Sequence, residues 1–463
     1  MSNMIQCISP VDGSVYAERP ATTLEQARAV LAQAAEAQQK WKAMPLADRC
    51  ALLHKAVDHL AASKAEIAPE LAWQMGRPIS QGAGEIGGLE ERARHMINIA
   101  PQALEQDTLL QNGLALRTIR REALGTVLVL APWNFPFLTA TNAIFPALAA
   151  GNSVVLKHSA QTLVCGERFA EAFEEAGLPE HVFQLILTTN DDTAALISEG
   201  YHDHIVFTGS VGVGRFLQQT NAVNFSGIDL ELGGKDPAYV RADANIDFAV
   251  ESLVDGAFFN SGQSCCGIER IYVHKDVYEP FVEKFVDIVK AYRLGDPTDP
   301  ETNLGPVVKT GAADFVRGQI QDAVAAGARA LLDPASFSMD KDGTPYLAPQ
   351  VLVDVTHDMR VMTEESFGPV VGIMRVESDD HAVELMNDSE FGLTTSIWTL
   401  DLAAAEAMSE RLETGTCFAN RCDYLDPALA WTGVKDTGRG CSLSVHAYEH
   451  LTRLKSYHFR QQP

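Results

Sequence analysis

The fold class of this chain is decided by residues 126–156, TVLVLAPWNFPFLTATNAIFPALAAGNSVVL. The apolar run at 126–130 predicts a buried strand, residues 139–150 predict a helix, and the run at 153–156 predicts a second strand. A strand, a helix and a strand in succession form a βαβ unit, whose strands lie parallel in one sheet. The stretch therefore predicts an α/β protein.

The same alternation of apolar runs and helical segments continues outward from this unit. Before it, residues 23–104 are dominantly helical and residues 105–121 alternate like an extended ribbon. After it, further strands are predicted at 183–187, 204–207, 237–240, 270–273, 351–353 and 370–374, with helices at 164–176, 248–259 and 277–291. The paired glycines Gly233 and Gly234 are the expected joint between two α/β units, since glycine lets the backbone turn freely.

Composition and charge exclude several classes of function. The chain has 463 residues, of which 46% are apolar and 21% charged, as in ordinary globular proteins of two or three domains. Its 36 Lys and Arg against 61 Asp and Glu give a net charge of −25, which would repel nucleic acid. The apolar runs are shorter than the roughly 20 residues of a membrane span, and the start does not read as a secretory signal. We therefore expect a cytoplasmic protein that binds neither nucleic acid nor membranes.

The cysteines carry the first chemical signal. No two of them form a C-x-x-C pair, so neither a metal site nor a disulfide framework is expected. Cys265 and Cys266 lie in the segment NSGQSCCG at 260–267, whose small residues would let a substrate approach a thiolate, a nucleophile that attacks carbonyl carbons. Without other signals, the pair is more simply explained as small buried core residues.

Four further segments occur with this one. They are PWNFP at 132–136, FTGSVGVG at 207–214, ELGGK at 231–235 and EESFGPV at 364–370. Together the five segments resemble the aldehyde dehydrogenase superfamily, whose members oxidise aldehydes to carboxylates with NAD(P), and the resemblance runs from about residue 10 to about residue 457. It implies an α/β fold with a Rossmann-like cofactor domain, an α/β catalytic domain and a small β-ribbon oligomerisation element.

The resemblance implies three catalytic residues. Cys265 would form a thiohemiacetal with the aldehyde, and Asn134 with the backbone N–H of Cys265 would stabilise its oxyanion. Glu231 would activate the water that hydrolyses the resulting thioester, and the apolar neighbours Leu230 and Leu232 could raise its pKa. Without the resemblance, Asn134 reads as a residue that caps a turn, and Glu231 reads as a surface carboxylate at a strand end.

The same resemblance implies a site for NAD or NADP. Lys157 would bind the adenosine ribose, and Glu365 and Phe367 would hold the nicotinamide ribose and pack beside the ring. The turn at 209–214 would begin a helix beside the pyrophosphate, although its glycine spacing is not the common G-x-G-x-x-G. The implied set is completed by Trp133, Ser159, Ala160, Gly209, Ser210, Gly214 and Leu232. Taken singly, Lys157 reads as a solvated charge and Phe367 as a core residue.

One position bears on the choice of cofactor. Many NAD-using members place a glutamate three residues after the lysine, where it accepts the ribose hydroxyls and repels a 2′-phosphate. Ala160 stands at that position in this chain. With Lys157 and Ser159 as phosphate partners, we expect dual use of the two cofactors or a preference for NADP.

The predicted substrate pocket favours a neutral, medium-sized or aromatic aldehyde. The Lys-His pair at 157–158 is similar to that of some succinate-semialdehyde enzymes, but the two arginines that bind the distal carboxylate there correspond to Asn142 and Phe259. A charged distal group is therefore expected to lack partners. The remaining predicted lining residues are Phe137, Cys266, Tyr424 and Trp431. A semialdehyde is the alternative substrate.

The domain assignment follows the resemblance. Residues 1–104 and 123–232 are assigned to the NAD(P)-binding domain, 233–445 to the catalytic domain, and 105–122 with 446–463 to the oligomerisation element. Because an exposed ribbon edge needs a cover, we expect a homodimer or homotetramer.

Two other functions remain as alternatives. One is an enzyme that passes the thioester to coenzyme A, and Glu231 argues against it because that reaction needs no base to activate water. The other is a scaffold that keeps only the fold, and the intact set of Cys265, Glu231 and Asn134 argues against that.

Overall fold

The computed structural model of this chain describes residues 4–112 and 115–460. Residues 1–3, 113–114 and 461–463, which the predicted domain ranges include, lie outside the described part. The strands are β1 Met4–Ile8, β2 Val15–Pro20, β3 Asp107–Asn112, β4 Ala115–Ala123, β5 Thr126–Ala131, β6 Ser153–His158, β7 Phe183–Ile186, β8 His204–Thr208, β9 Gly227–Glu231, β10 Asp236–Val240, β11 Ile268–His274, β12 Arg329–Ala330, β13 Gln350–Val353, β14 Val370–Val376, β15 Phe391–Gly392, β16 Thr394–Trp398, β17 Thr416–Ala419, β18 Val434–Lys435, β19 Gly438–Arg439 and β20 Thr452–Arg460. The helices are α1 Leu24–Trp41, α2 Leu46–Ala62, α3 Lys64–Met75, α4 Ile79–Ala103, α5 Pro136–Ala149, α6 Leu163–Glu175, α7 Asn190–Glu199, α8 Val211–Asn221, α9 Ile246–Phe258, α10 Tyr278–Lys290, α11 Thr310–Ala325, α12 Arg360–Thr363, α13 Asp379–Asn387, α14 Leu402–Ser409 and α15 Ala447–His450.

The first sheet contains the βαβ unit that the sequence predicts. Its strand order is β19-β9-β8-β5-β6-β7, and all of its pairings are parallel except that of the edge strand β19 with β9. Every residue of β5 is buried, because apolar side chains of this central strand face helices on both sides of the sheet. The prediction of an α/β protein with parallel sheets is confirmed.

The second sheet has the order β12-β13-β14-β11-β10-β16-β17, with only β12 antiparallel. The chain passes from the first sheet to the second through residues 232–235. Neither Gly233 nor Gly234 has a left-handed φ there. A Cβ on Gly233 would lie 2.5 Å from Oε1 of Glu365, and one on Gly234 would lie 2.3 Å from the carbonyl oxygen of Cys265. These glycines are required by close approach, not by the free turning that the sequence suggested.

The ribbon strands β3 and β4 pair within their own chain. β20 runs antiparallel to β4 over its whole length, from Thr452 opposite Ala123 to Arg460 opposite Ala115, and β3 pairs with the other edge of β4. The apolar side chains of Leu454 and Phe459 on β20 are exposed. Such apolar positions beside an edge are typical of a surface that another copy covers, so the oligomer stays a prediction.

The amino-terminal helices pack on both faces of the first sheet, α1 mainly in the core on one face and α2, α3 and α4 in the core on the other. α1 begins with a capping box in which the side chain of Thr23 accepts from the backbone N–H of Gln26 and the side chain of Gln26 accepts from that of Thr23. α2, α3 and α4 then bury apolar side chains in the core that α5 and the sheet share. No helix in the described ranges combines the length and apolarity needed to cross a membrane.

Candidate active site

The carboxyl ends of the strands in the first sheet collect the predicted functional residues. In a parallel sheet these ends share one edge, which is where ligands bind in open α/β folds. The residues that follow or end these strands are Trp133 and Asn134 after β5, Lys157, Ser159 and Ala160 at β6, Gly209 and Ser210 after β8, and Glu231 and Leu232 at β9.

The proposed nucleophile lies at the end of a tightly wound loop. After α9, Asn260 and Ser261 adopt left-handed φ angles of 53° and 57°, conformations that side chains other than glycine seldom adopt. The loop brings Cys265, which is partly exposed, to the wall of a cavity of about 300 Å³. That volume is within the range of small-molecule sites.

The neighbouring cysteine is placed differently. Cys266 is only 3% exposed, and its thiol donates a hydrogen bond to Oδ1 of Asp423 over 3.0 Å. Its hydrogen bond with Cys265 and its burial raise the pKa of the Cys266 thiol well above its usual value. A thiol that stays protonated is a poor nucleophile, which favours Cys265 for that role.

Glu231 lies on the wall of the same cavity as Cys265. Oε2 of Glu231 accepts a hydrogen bond from the Thr208 hydroxyl over 3.0 Å, and Oε1 accepts one from the Ser442 hydroxyl. Burial raises the pKa of Glu231, although both hydroxyls act against that shift. A carboxylate with a raised pKa is a stronger base, as water activation requires.

Asn134 is buried beside the nucleophile loop, outside the residues that line the cavity. Its Nδ2 donates to the carbonyl oxygen of Gln263 over 3.2 Å, two residues before Cys265. Its own carbonyl oxygen accepts from Nδ2 of Asn260 at 3.0 Å and from the guanidinium of Arg77. The structure therefore joins Asn134 to the Cys265 loop, and its role towards an oxyanion remains a prediction.

A buried ion pair that the sequence analysis missed supports this loop. The guanidinium of Arg77 pairs with the carboxylate of Glu85, and both side chains are almost fully buried. Nε of Arg77 also donates to Oδ1 of Asn260 at 3.2 Å, while Oε1 of Glu85 accepts from the backbone N–H of Phe137 at 2.8 Å. The pair thus links α4 to both the loop and the start of α5. No local sequence pattern indicates it.

The predicted substrate residues line the cavity with one exception. Phe259, Tyr424, Trp431, Asn142 and Cys266 are all at its wall. The ring of Phe259 stacks parallel to that of Phe135, with centroids 6.4 Å apart.

Phe137 is the exception, and its prediction was wrong. Its side chain is fully buried and packs on Phe169 of α6, with ring centroids 5.4 Å apart. On α5 the face towards the cavity carries Leu138 and Asn142, which are one helical turn apart. Phe137 is rotated away from that face.

The expectation that a charged distal group lacks partners stays a prediction, and one cationic residue that the sequence analysis missed bears on it. Arg92 of α4 lines the cavity although it is only 9% exposed. Its Nη1 donates to Oδ1 of Asn142 over 3.4 Å, and no carboxylate of the described residues lies within 4.0 Å of its guanidinium. The cavity also has acidic residues, Asp423, Asp255 and Glu91, of which Asp423 accepts from Ser264 at 2.9 Å.

The residues implied for the dinucleotide fit such a group. A Cβ on Gly214 would lie 2.6 Å from Cδ2 of Leu232, so glycine lets α8 approach the end of β9. The side chain of Ser210, the N-cap of α8, makes no capping hydrogen bond. Burial lowers the pKa of Lys157, which has no carboxylate within 4.0 Å among the described residues. Ser159 caps the short turn after β6 by accepting from the backbone N–H of Gln161 at 3.3 Å.

The segment at 364–370 is held by a second buried ion pair. Nζ of Lys235 lies 2.5 Å from Oε2 of Glu269, and Oε1 of Glu269 accepts from the backbone N–H of Phe367 at 2.9 Å. Phe367 has a left-handed φ of 53°, and its ring meets that of Trp133 edge-on with centroids 5.7 Å apart. The bonds to Glu269 keep Phe367 and Glu365 at the site.

Known proteins are similar to this chain over nearly its whole length. The model of the aldehyde dehydrogenase family matches residues 1–457. The chain is 33% identical to the succinate semialdehyde dehydrogenase Sad of Escherichia coli, named for NAD(P)+, over 97% of this chain and 96% of Sad. It is 32% identical to the NADP(+) succinate-semialdehyde dehydrogenase 1 of Mycobacterium tuberculosis, over 98% of this chain and 99% of that protein. The NADP-dependent glyceraldehyde-3-phosphate dehydrogenase of Bacillus halodurans, solved with NADP, superposes with a TM-score of 0.93 at 31% identity, over 99% of this chain and 96% of that one. The chain belongs to the aldehyde dehydrogenase family.

Proposed function

We propose that this enzyme oxidises an aldehyde to its carboxylate with NAD(P)+ through a covalent intermediate on Cys265. The observation that carries the proposal is the placement of Cys265 and Glu231 on one cavity of about 300 Å³, while the Cys266 thiol is hydrogen-bonded to Asp423. A nucleophile and a base on the same wall meet the geometric requirement for covalent catalysis followed by hydrolysis.

The chemistry divides between the two residues. The Cys265 thiolate adds to the aldehyde carbon, and the amide of Asn134 with the Cys265 backbone N–H would donate to the alkoxide of the thiohemiacetal. Oxidation of the thiohemiacetal gives a thioester on Cys265. Glu231 takes one proton from a water molecule as that water attacks the thioester carbon. The C–S bond then breaks, the thiolate is restored, and the product leaves as the carboxylic acid, which ionises in solvent.

A nicotinamide cofactor, when bound, supplies the acceptor for the hydride that leaves the thiohemiacetal. Lys157, Ser159, Ser210 and Gly214 would hold its adenosine and pyrophosphate part, and Glu365 would accept from the nicotinamide ribose. Ala160 leaves room for a 2′-phosphate that a glutamate would repel. The names of the relatives, which include NAD(P)+ and NADP(+), support the use of either cofactor.

The cavity wall supports a medium-sized aldehyde with an apolar or aromatic body. Phe135, Phe259, Leu138 and Trp431 provide apolar surface beside Cys265. A neutral aldehyde needs no charged partner, which fits these walls.

A second candidate substrate is an aldehyde with a carboxylate at its far end. Arg92 favours it, because a buried guanidinium without a carboxylate partner gains charge-assisted hydrogen bonds from an incoming anion. Asp423 is already engaged with Ser264 and Cys266, and Glu91 accepts from the Tyr424 hydroxyl at 3.3 Å. The names of the relatives, which specify succinate semialdehyde, support this candidate.

Comparison of Cys265→Ala with Cys266→Ala tests the proposal. Both variants are assayed for NAD(P)H formation with a panel of neutral and carboxylated aldehydes, and for cofactor binding by fluorescence. We expect Cys265→Ala to lose turnover while it binds cofactor, and Cys266→Ala to keep turnover. The reverse pattern would reassign the nucleophile, and a lack of NAD(P)H formation by the unmodified protein with every aldehyde would reject the function.

A further inference from the structure

Glu231 lines two cavities. One is the substrate cavity with Cys265, and the other is a small cavity of about 20 Å³. Asp229 lines the small cavity together with Glu231 and Ser442. Residues two apart on a strand point to the same face, so β9 places Asp229 and Glu231 side by side. A cavity of more than about 10–15 Å³ with several polar walls can hold one water molecule.

Asp229 is the centre of a hydrogen-bonded cluster that has no role in the reaction steps proposed above. Its Oδ2 accepts from Nε2 of His204 at 3.0 Å, and its Oδ1 lies 3.1 Å from Nδ1 of His450. His204 is nearly buried, whereas the His450 side chain is 37% exposed at the surface. The cluster therefore connects the small cavity to solvent. In the described ranges, no group of three or more His, Cys, Asp and Glu side chains is arranged to hold a metal ion.

Hydrolysis of a thioester leaves a proton on Glu231 in every turnover. That proton must leave before Glu231 can act again as a base. The Ser442 hydroxyl donates to Oε1 of Glu231 and lies on the wall of the small cavity, so it can pass the proton into that cavity.

We infer that Ser442, the small cavity, Asp229 and His450 form the route by which the proton on Glu231 reaches solvent. The inference rests on the proposed function of Glu231. The proton passes from Glu231 through the Ser442 hydroxyl and a water molecule to the Asp229 carboxylate. It then moves to Nδ1 of His450, in the neutral ring that carries its own proton on Nε2. The exposed Nε2 releases a proton to bulk water, and exchange with solvent restores the starting tautomer. Glu231 and Asp229 return to carboxylates and His450 to the neutral ring, so no other reactant is consumed.

The pKa shifts make Asp229 the weakest proton acceptor among Glu231, Asp229 and His450, so Asp229 holds the proton only in transit. Burial acts to raise the pKa of Asp229, but its hydrogen bonds with His204 and His450 lower that pKa overall. The hydrogen bond with Asp229 raises the pKa of His450. Burial raises the pKa of Cys441, on the cavity wall, to about 11, so this thiol stays neutral. Arg439, also on the wall, donates to the carbonyl oxygen of Ile228 at 3.2 Å.

The route is tested with His450→Ala, Asp229→Asn and the exposed control His446→Ala. NAD(P)H formation is measured in the first turnover and in the steady state, with and without added imidazole. We expect the first-turnover burst to remain and the steady-state rate to fall about tenfold in His450→Ala and Asp229→Asn, a fraction of what a full acid–base step contributes. Imidazole should restore His450→Ala, and a larger solvent isotope effect should appear in both variants.

A purely structural cluster would give a different result. In that case His450→Ala and Asp229→Asn would lose the burst and thermal stability together, without rescue, or would keep the unmodified steady-state rate. Either result overturns the route. The variant Glu231→Gln distinguishes failure of the proton route from failure of the proposed function. If it loses steady-state turnover while the other two variants keep theirs, only the route is wrong, and if it keeps normal turnover, the assignment of the base is wrong.

Discussion

Gly234, three residues after the proposed base Glu231, donates a backbone N–H hydrogen bond to Oε1 of Glu365 over 3.1 Å. A Cβ on the preceding Gly233 would lie 2.5 Å from the same oxygen atom. The two glycines therefore let the Glu365 carboxylate pack closely against the backbone just after β9. Burial and the nearby Glu269 carboxylate raise the pKa of Glu365 to about 7.

The affinity for cofactor should depend on the ionisation of Glu365. Below pH 7 the group is mostly protonated, and above pH 7 it becomes a carboxylate that can accept from both ribose hydroxyls. We expect the Kd for NAD(P)+ to fall about tenfold between pH 6 and pH 8, following the ionised fraction. Fluorescence titration at several pH values measures it. In Glu365→Gln the dependence should be flat, and an unchanged slope in that variant would assign it to another group.

Glu231→Gln should separate the two halves of the reaction. The amide keeps the shape of the side chain but cannot take a proton from water. We expect the first-turnover burst of NAD(P)H to persist and the steady-state rate to fall about 100-fold. Stopped-flow absorbance measures both phases. Glu91→Gln, at the exposed rim of the cavity, is the matched control, and equal losses in the two variants would contradict the assignment.

Arg92→Met distinguishes the two candidate substrates. Methionine keeps an unbranched stem and removes the guanidinium. If the far end of the substrate is a carboxylate, kcat/KM for succinate semialdehyde should fall about 10–100-fold, the value of a charge-assisted hydrogen bond, while that for butanal should not fall.

The control for that experiment is Arg94→Met on the same helix, where Arg94 pairs with Asp58 and Glu90 at the surface. The neutral aldehyde would be favoured if the unmodified protein had a higher kcat/KM for butanal and Arg92→Met showed no selective loss of kcat/KM for succinate semialdehyde. The pair of aromatic substrates 4-carboxybenzaldehyde and 4-methylbenzaldehyde extends the test to larger aldehydes.

Ala160→Glu should shift the cofactor preference towards NAD+. A carboxylate at this position would repel a 2′-phosphate and accept the ribose hydroxyls of NAD+. We expect the ratio of kcat/KM for NADP+ to that for NAD+ to fall at least about tenfold, or ~1.4 kcal/mol. Ala160→Gln has the same bulk without the charge. If both variants lose NADP+ use equally, steric exclusion and not charge would be the cause.

Removal of Glu85 should destabilise the fold near the nucleophile loop. Glu85→Ala leaves the buried guanidinium of Arg77 without its partner, and such uncompensated charges cost about 3–5 kcal/mol. Urea unfolding followed by fluorescence measures the loss. Glu90→Ala, which breaks a surface pair with Arg94, should cost no more than about 1 kcal/mol. Similar midpoints for the two variants would contradict the structural role of the buried pair.

The sequence predicts the sheets and the central chemistry because both depend on local pattern. Apolar runs such as 126–130 become central strands, and the segments with Cys265 and Glu231, one after α9 and the other at the end of β9, meet at one cavity. Arg92 and Asp423 could not be found in this way, since they come from a helix and a loop whose neighbours carry no motif. Phe137 shows a finer limit, because on a helix one residue changes the direction of a side chain by about 100°, and Leu138 faces the cavity instead.

Detection of an acyl group on Cys265 tests directly whether this cysteine is the nucleophile. Glu231→Gln combined with Cys266→Ala is mixed with an aldehyde substrate and NAD(P)+, quenched in acid, and digested for mass spectrometry. We expect a thioester of the calculated acyl mass on Cys265. A burst of NAD(P)H with no acyl group on Cys265, or with the group on another residue, would contradict it.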